Sequence, residues 1–290
     1  MVDRADLEAL IEEARKLGRA DALAELRVLW RDAYLEAARE PEPAPVDGSA
    51  WWVYCVIVAG DPAPADVDVV TSGDLAALVK EVPLAEYNDD RLRQNLEDLA
   101  WVERVARAHE AVLESAMTLT TIVPLRLCTI CLTRERVAAL LDEQREALHA
   151  SFERLRGRTE WGVKVFAEHR RFEAPQDSEE TAYLERKRRA RAARDDAQRA
   201  AMECAQRVHE AVERQAIAAR VNPPQHAEAH GRDADMLLNA AYLVDEDGRA
   251  ELHELIAALA AELGPQGFVV ELTGPWPPYN FVAPTTPALS

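Results

Sequence analysis

Only 11 glycines occur among the 290 residues, and they form no G-x-G-x-x-G, no Walker-type phosphate loop and no G-x-S-x-G elbow. Phosphate cradling and nucleophile-elbow chemistry therefore have no sequence support. The 52 carboxylates are too numerous for any pair to stand out as an acid–base couple, so no catalytic residue and no cofactor is assigned. Four cysteines are too few for a disulfide framework in a chain of this size. No apolar run approaches the ~20 residues that a membrane-spanning helix needs. The segment Met1–Arg19 mixes Asp, Glu, Arg and Lys and lacks the apolar core of a secretory signal, which points to a cytoplasmic protein away from membranes. Positive charge is also short: 34 Lys and Arg against 52 Asp and Glu leave −18, the wrong field for a general nucleic-acid surface. The same charge favours solubility and resists self-association.

With 48% apolar and 30% charged residues, the composition is that of a soluble globular protein, and the length suits two domains plus accessory segments. Residues 1–48 read as a helical extension and linker. Leu7, Leu10, Ile11 and Ala14 recur at helical spacing, as do Leu23, Leu26, Val28 and Leu29, before the unstructured-looking run Pro41–Gly48. Residues 49–158 read as an α+β domain. Trp51–Val58 is apolar on both alternating faces, as a covered central strand requires. Val67–Thr71 and Leu75–Val82 flank a turn at Ser72-Gly73-Asp74, and a helix is expected from about Asp89 to Met117. A strand over Thr121–Leu132, with Pro124 marking an edge or bulge, precedes a helix from Arg134 to Leu155 capped by Thr133 and stopped at Gly157.

Residues 159–290 read as a second domain. Trp161, Val163 and Val165 share one strand face, and a single helix of roughly 60 Å is expected from Glu179 to about Arg220. Its seam of Tyr183, Ala190, Ala193, Ala197, Ala201, Cys204, Val208 and Val212 is narrow, which suits close pairing with another helix, the N-terminal arm among the options. A strand over Met236–Val244, a helix on Leu252, Leu255, Ile256, Leu259 and Leu263, and a strand over Phe268–Thr273 complete a β-α-β-α-β order. The fold class is thus α+β: two domains with ferredoxin-like elements, a long coiled-coil-like helix and an N-terminal helical arm.

Four constellations carry possible function. Cys128 and Cys131 form a lone C-x-x-C on an expected strand, where i and i+3 point to opposite faces, so structural thiols are the better reading. His226-Ala-Glu-Ala-His230 with Asp233 lies in a polar loop and reads as solvated rather than metal-binding. His109, near an apolar helix stripe, reads as a hydrogen-bonded packing residue. Arg186, Arg188 and Arg189 head a run to Arg194 with six cations, either the wet side of a helix or a docking stripe for an acidic partner. In Glu271–Phe281 the prolines at 275, 277 and 278 should end the strand near Gly274. Trp276, Tyr279 and Phe281 then follow on stiff backbone, either folded back on their own protein or displayed as anchors for a partner.

Glu271–Phe281, Leu238–Val244 and Trp161–Val165, together with Asn95–Val102, Ala108–Val112 and Thr121–Arg126, resemble the gas vesicle accessory protein family GvpF/GvpL over roughly Trp51–Val282. The resemblance implies two α/β domains with ferredoxin-like elements and a helical hairpin. It further implies a role in building gas vesicles through contact with the small hydrophobic shell protein and other accessory components, and no catalytic residue. Two departures stand out. Residues 1–48 precede the usual start of such proteins, and Cys128 and Cys131 occupy a strand ordinarily small or apolar. A ligand-sensing or enzymatic ferredoxin-like protein with an interdomain pocket is the alternative. Nucleic-acid binding through Arg186–Arg194 would have to overcome the net negative field.

Overall fold

The computed structural model describes residues 48–168, 183–225 and 234–282. They fall into two compact units: Glu160–Pro275 forms one, and the described residues up to Thr159, joined by those from Trp276 onward, form the other.

The unit that begins the described chain is built on strands β1 (Ser49–Val58), β2 (Asp68–Ser72) and β3 (Leu75–Pro83), with two short strands, β4 (Val123–Pro124) and β5 (Ile130–Cys131). The sheet order is β2-β3-β1-β4, with β5 also on β1, so β1 is central. Its almost unbroken burial follows from coverage on both faces. Pairing with β3 is antiparallel and shifts between Val53 and Cys55. The bulge at Tyr54 resets the side-chain alternation: Ala50, Trp52 and Tyr54 before it, and Cys55 and Ile57 after it, all join one core cluster.

After a short helix α1 (Leu84–Tyr87), α2 (Asp89–Asn95) and α3 (Leu99–Met117) replace the single helix expected from Asp89. The break lies at residues 96–98, where the Asp98 side chain takes the Ala100 N–H and caps α3 afresh. Trp101, Val102, Val105, Ala106, His109, Val112, Leu113 and Ala116 form the buried stripe of α3 against the Trp52 face. The strand expected over Thr121–Leu132 is likewise divided. Pro124 cannot extend a ladder, and a turn follows in which Thr129 N–H and Oγ1 both reach Arg126 O while Cys128 takes φ 61°. Helices α4 (Arg134–Glu143) and α5 (Arg145–Leu155) replace one helix, broken at Gln144. Thr133 Oγ1 accepts the Arg136 N–H at 3.1 Å as the cap, and Gly157 has the left-handed φ of 69° that ends the run.

The other unit contains β6 (Arg158–Glu168), α6 (Tyr183–Glu213), β7 (Ala218–Val221), β8 (Ala234–Asp245), α7 (Arg249–Leu263) and β9 (Phe268–Trp276). Its sheet order is β7-β8-β6-β9, a β-α-β-β-α-β succession with one strand, β7, more than the sequence reading contained. Trp161, Val163 and Val165 of β6 meet Val208 and Val212 of α6 and Leu252, Ile256 and Leu259 of α7 in the core. Strand β9 does not stop at Gly274 but continues to Trp276. It is an edge strand, where prolines without an N–H are tolerated on the open side.

Candidate interaction surfaces

Along α6 the burial changes character. Cys204, Val208 and Val212 are buried, whereas Arg188, Arg191, Ala192, Asp195, Asp196, Gln198, Arg199 and Ala200 are exposed. Of the seam read from sequence, Cys204, Val208 and Val212 pack in the unit's core with Ala201 against them, and the side chains of Tyr183, Ala190 and Ala193 lie outside the described residues. Beside it, Gln198, Ala201, Met202, Ala205, Gln206 and His209 of α6 face Val221 of β7 and Met236, Leu237 and Leu238 of β8 across an open groove of about 460 Å³. No Asp, Glu, Lys or Arg lines it. Met202 is 67% and Val221 57% exposed, large apolar side chains left in water on an edge strand and its neighbouring helix. His209 closes one end, with Nδ1 2.8 Å from the Tyr242 hydroxyl, whose pKa burial pushes up.

Of the cationic run, Arg188 and Arg191 are exposed, and the side chains of Arg186 and Arg189 lie outside the described residues. His226, His230 and Asp233 also lie outside them. Among the described residues no group of three or more His, Cys, Asp or Glu is placed to hold a metal.

The C-terminal segment packs within its own unit. Pro277, Pro278 and Phe281 are buried, Trp276 and Tyr279 half-buried, and Arg154 Nη1 donates to Phe281 O at 3.2 Å. A ring that is 4% exposed offers no surface anchor, so Phe281 is a packing residue. Tyr279 is tied in by a directed chain of hydrogen bonds. Trp52 Nε1 can only donate, so His109 Nδ1 accepts at 3.0 Å and the imidazole proton sits on Nε2. Nε2 lies 3.1 Å from the Tyr279 hydroxyl, which donates in turn to Glu110 Oε1 at 3.3 Å. Burial holds the His109 pKa down to about 3, so this ring is neutral near pH 7 and the tautomer is the only one the chain allows. The Tyr54 ring packs against the same imidazole at a tilt of 32°, centroid to centroid 5.3 Å. Sequence reasoning found the packing histidine, but nothing in the sequence points from His109 to a tyrosine 170 positions later.

Cys55, Cys128, Cys131 and Cys204 are free and buried, and burial raises all four pKa values, to about 11 for Cys131 and Cys204. Such thiols are poor nucleophiles and poor ligands. At the β2–β3 turn, Arg145 donates to Asp74 Oδ1 at 2.5 Å and Ser72 O at 3.2 Å, and Ser72 Oγ donates to Asp142 at 2.6 Å. His149 Nε2 lies 3.1 Å from Asp74 Oδ2. These contacts fasten a hairpin tip to α4 and α5.

Comparisons with known proteins give the chain's family. A profile described as "Gas vesicle synthesis protein GvpL/GvpF" matches residues 50–283. The chain belongs to the GvpL/GvpF family. Gas vesicle protein L of Streptomyces sp. (strain CB03234) is 42% identical over 220 residues, 72% of this chain and 80% of the relative. Gas vesicle protein F of the same strain is 28% identical over 236 residues, 77% and 90% of the two chains. The crystal structure of GvpF from Anabaena sp. PCC7120 superposes with a TM-score of 0.61 at 20% identity, covering 84% of this chain and 100% of that one. That of GvpF from Microcystis aeruginosa gives 0.57 at 19%, covering 80% and 98%. The likeness to these two structures concerns the mixed α/β fold. GvpL/GvpF membership gives the chain an accessory role in gas vesicles.

Proposed function

We propose that this GvpL/GvpF-family chain is a cytoplasmic, non-enzymatic assembly protein of gas vesicles. It binds the hydrophobic shell protein through the groove between α6 and β7–β8, and it meets other accessory proteins through its charged surfaces. The observation that carries this reading is the groove itself: ten lining residues without a formal charge other than His209, in a chain with net charge −18. A charge-free apolar strip on a strongly charged, soluble body holds an aggregation-prone monomer without the carrier itself aggregating. The β-α-β-β-α-β order supports a ferredoxin-like second domain, whose edge strand β7 is open to pairing with an extended segment. Identity of 42% to a protein L against 28% to a protein F supports an L-type role. The exposed Arg188 and Arg191 suit an acidic accessory partner, a contact that weakens as salt rises.

Co-expression with the shell protein followed by pull-down tests the reading. The wild type retains shell protein, and Met202→Glu with Val221→Glu lowers retention sharply while leaving the fold intact, because both side chains are already in water. Equal retention by the double variant would remove the groove from the account.

A further inference from the structure

We propose that the groove takes its partner in extended form, as a fifth strand on the open side of β7 with apolar side chains toward α6 and an acidic one beside Arg220. The proposal rests on the groove being the shell-protein site described above, and adds the conformation and side-chain pattern of the segment that enters it.

The register of β7 decides which of its main-chain groups are already used. Ala218, Ala219, Arg220 and Val221 lie opposite Leu243, Tyr242, Ala241 and Ala240 of the antiparallel β8. One residue on, the Asn222 N–H donates to Asn239 O at 2.7 Å, which makes Asn222 a hydrogen-bonded position of this pair. Such positions alternate along a strand. Ala218 and Arg220 therefore also turn N–H and C=O toward β8, while Ala219 and Val221 turn theirs off the sheet. Those four groups make no hydrogen bond among the described residues. Other edges are blunted. On β2 the Val69 carbonyl accepts from Arg134 Nη2 at 2.7 Å, and β9 carries Pro275, which has no N–H to offer.

Side chains follow the same alternation. Ala219 packs against the core that holds Val208 and Val212 of α6, and Val221, two residues on, lines the groove. In an added strand, the side chains opposite these two enter the groove, whose walls hold no Asp, Glu, Lys or Arg. The residue between them falls on the other face, beside Arg220. That guanidinium is exposed and has no ion pair among the described residues, in a chain with 52 carboxylates against 34 Lys and Arg. An acidic side chain opposite it completes a cross-strand pair. Around the groove α6 carries both signs, with Arg199 paired to Asp196 at 3.3 Å and Arg207 to Glu262 at 2.5 Å, so the helix adds no charge preference of its own. A second copy of β7 is the wrong guest. Pairing Ala219 and Val221 with the same residues of another chain sets Arg220 against its own counterpart, and two chains of −18 repel. A helical guest leaves the four main-chain groups of β7 to water.

Proline substitution separates the ladder from the apolar wall. Ala219→Pro with Val221→Pro removes two N–H groups that point off the sheet, so pairing with β8 is kept. Shell-protein retention is expected to fall on the order of tenfold, as two hydrogen bonds are lost. Arg220→Glu lowers it about threefold at low salt. If the prolines leave retention unchanged while Met202→Glu with Val221→Glu abolishes it, the strand is overturned and the groove stands as the shell site. If neither pair has an effect, the groove fails and the strand with it. A measurement on the unaltered chain guards against misfolded variants. Overlapping ten-residue peptides covering the shell protein are tested for binding, and the tightest is N-methylated one residue at a time. Loss at every second residue is the expected result. Loss at every third or fourth residue, loss at none, or no bound peptide while intact shell protein is retained would each overturn the proposal.

Discussion

His109 provides the sharpest physical test of the fold. Its imidazole is 1% exposed and held as the neutral Nε2–H tautomer between Trp52 and Tyr279. In the unfolded chain a histidine titrates near ~6.5, whereas burial holds this one to about 3. The folded pKa is depressed, so below the unfolded value the unfolded state binds a proton that the native state refuses. Stability is therefore complete above about pH 6.5 and falls as the pH drops toward 3. Each unit below 6.5 costs about 1.4 kcal/mol, so moving from about pH 7.5 to about pH 5 removes about 2 kcal/mol through this one group. His109→Gln isolates the effect: its amide accepts from Trp52 and donates to Tyr279 but does not titrate. Urea unfolding at the two pH values, followed by tryptophan fluorescence, should show wild type losing about 2 kcal/mol more than the variant. The other titrating groups are common to both chains and cancel. Equal losses in the two proteins would refute a buried neutral His109.

Tyr279→Phe removes the hydroxyl between His109 and Glu110 and should cost about 1 kcal/mol by urea unfolding, with secondary structure by circular dichroism unchanged. Gly73→Ala places a Cβ 2.9 Å from Arg145 Nη1 at a φ of 59°, and should cost about 1–2 kcal/mol, visible as a lower urea midpoint. Alkylation by iodoacetamide should leave Cys55, Cys128, Cys131 and Cys204 almost unmodified in the native chain and label all four in urea, because burial keeps them as thiols.

Periodicity and local chemistry made much of this protein readable. An apolar run alternating on both faces marks β1 as a covered strand, Thr133 and Gly157 mark helix ends, and the Leu252–Leu263 stripe marks α7, because each signal depends on neighbours within a few residues. The family was readable from ordered motifs across both halves, chiefly the Gly-Pro-Trp-Pro-Pro-Tyr segment. The interruptions at Asp98 and Gln144 were not, since the apolar stripe runs through both and only backbone hydrogen bonding reveals the break. Strand β7 was absorbed into the end of α6, because four residues are too few for a periodic signal and pairing with β8 alone makes them a strand. Nor does any local pattern bring Tyr279 to His109, or line Met202 up with Val221 and Met236. Sequence determined which segments are apolar and where most of the helices and strands lie. The tertiary structure decided which apolar residues remain in water, because that depends on what a distant part of the chain covers and what it leaves open.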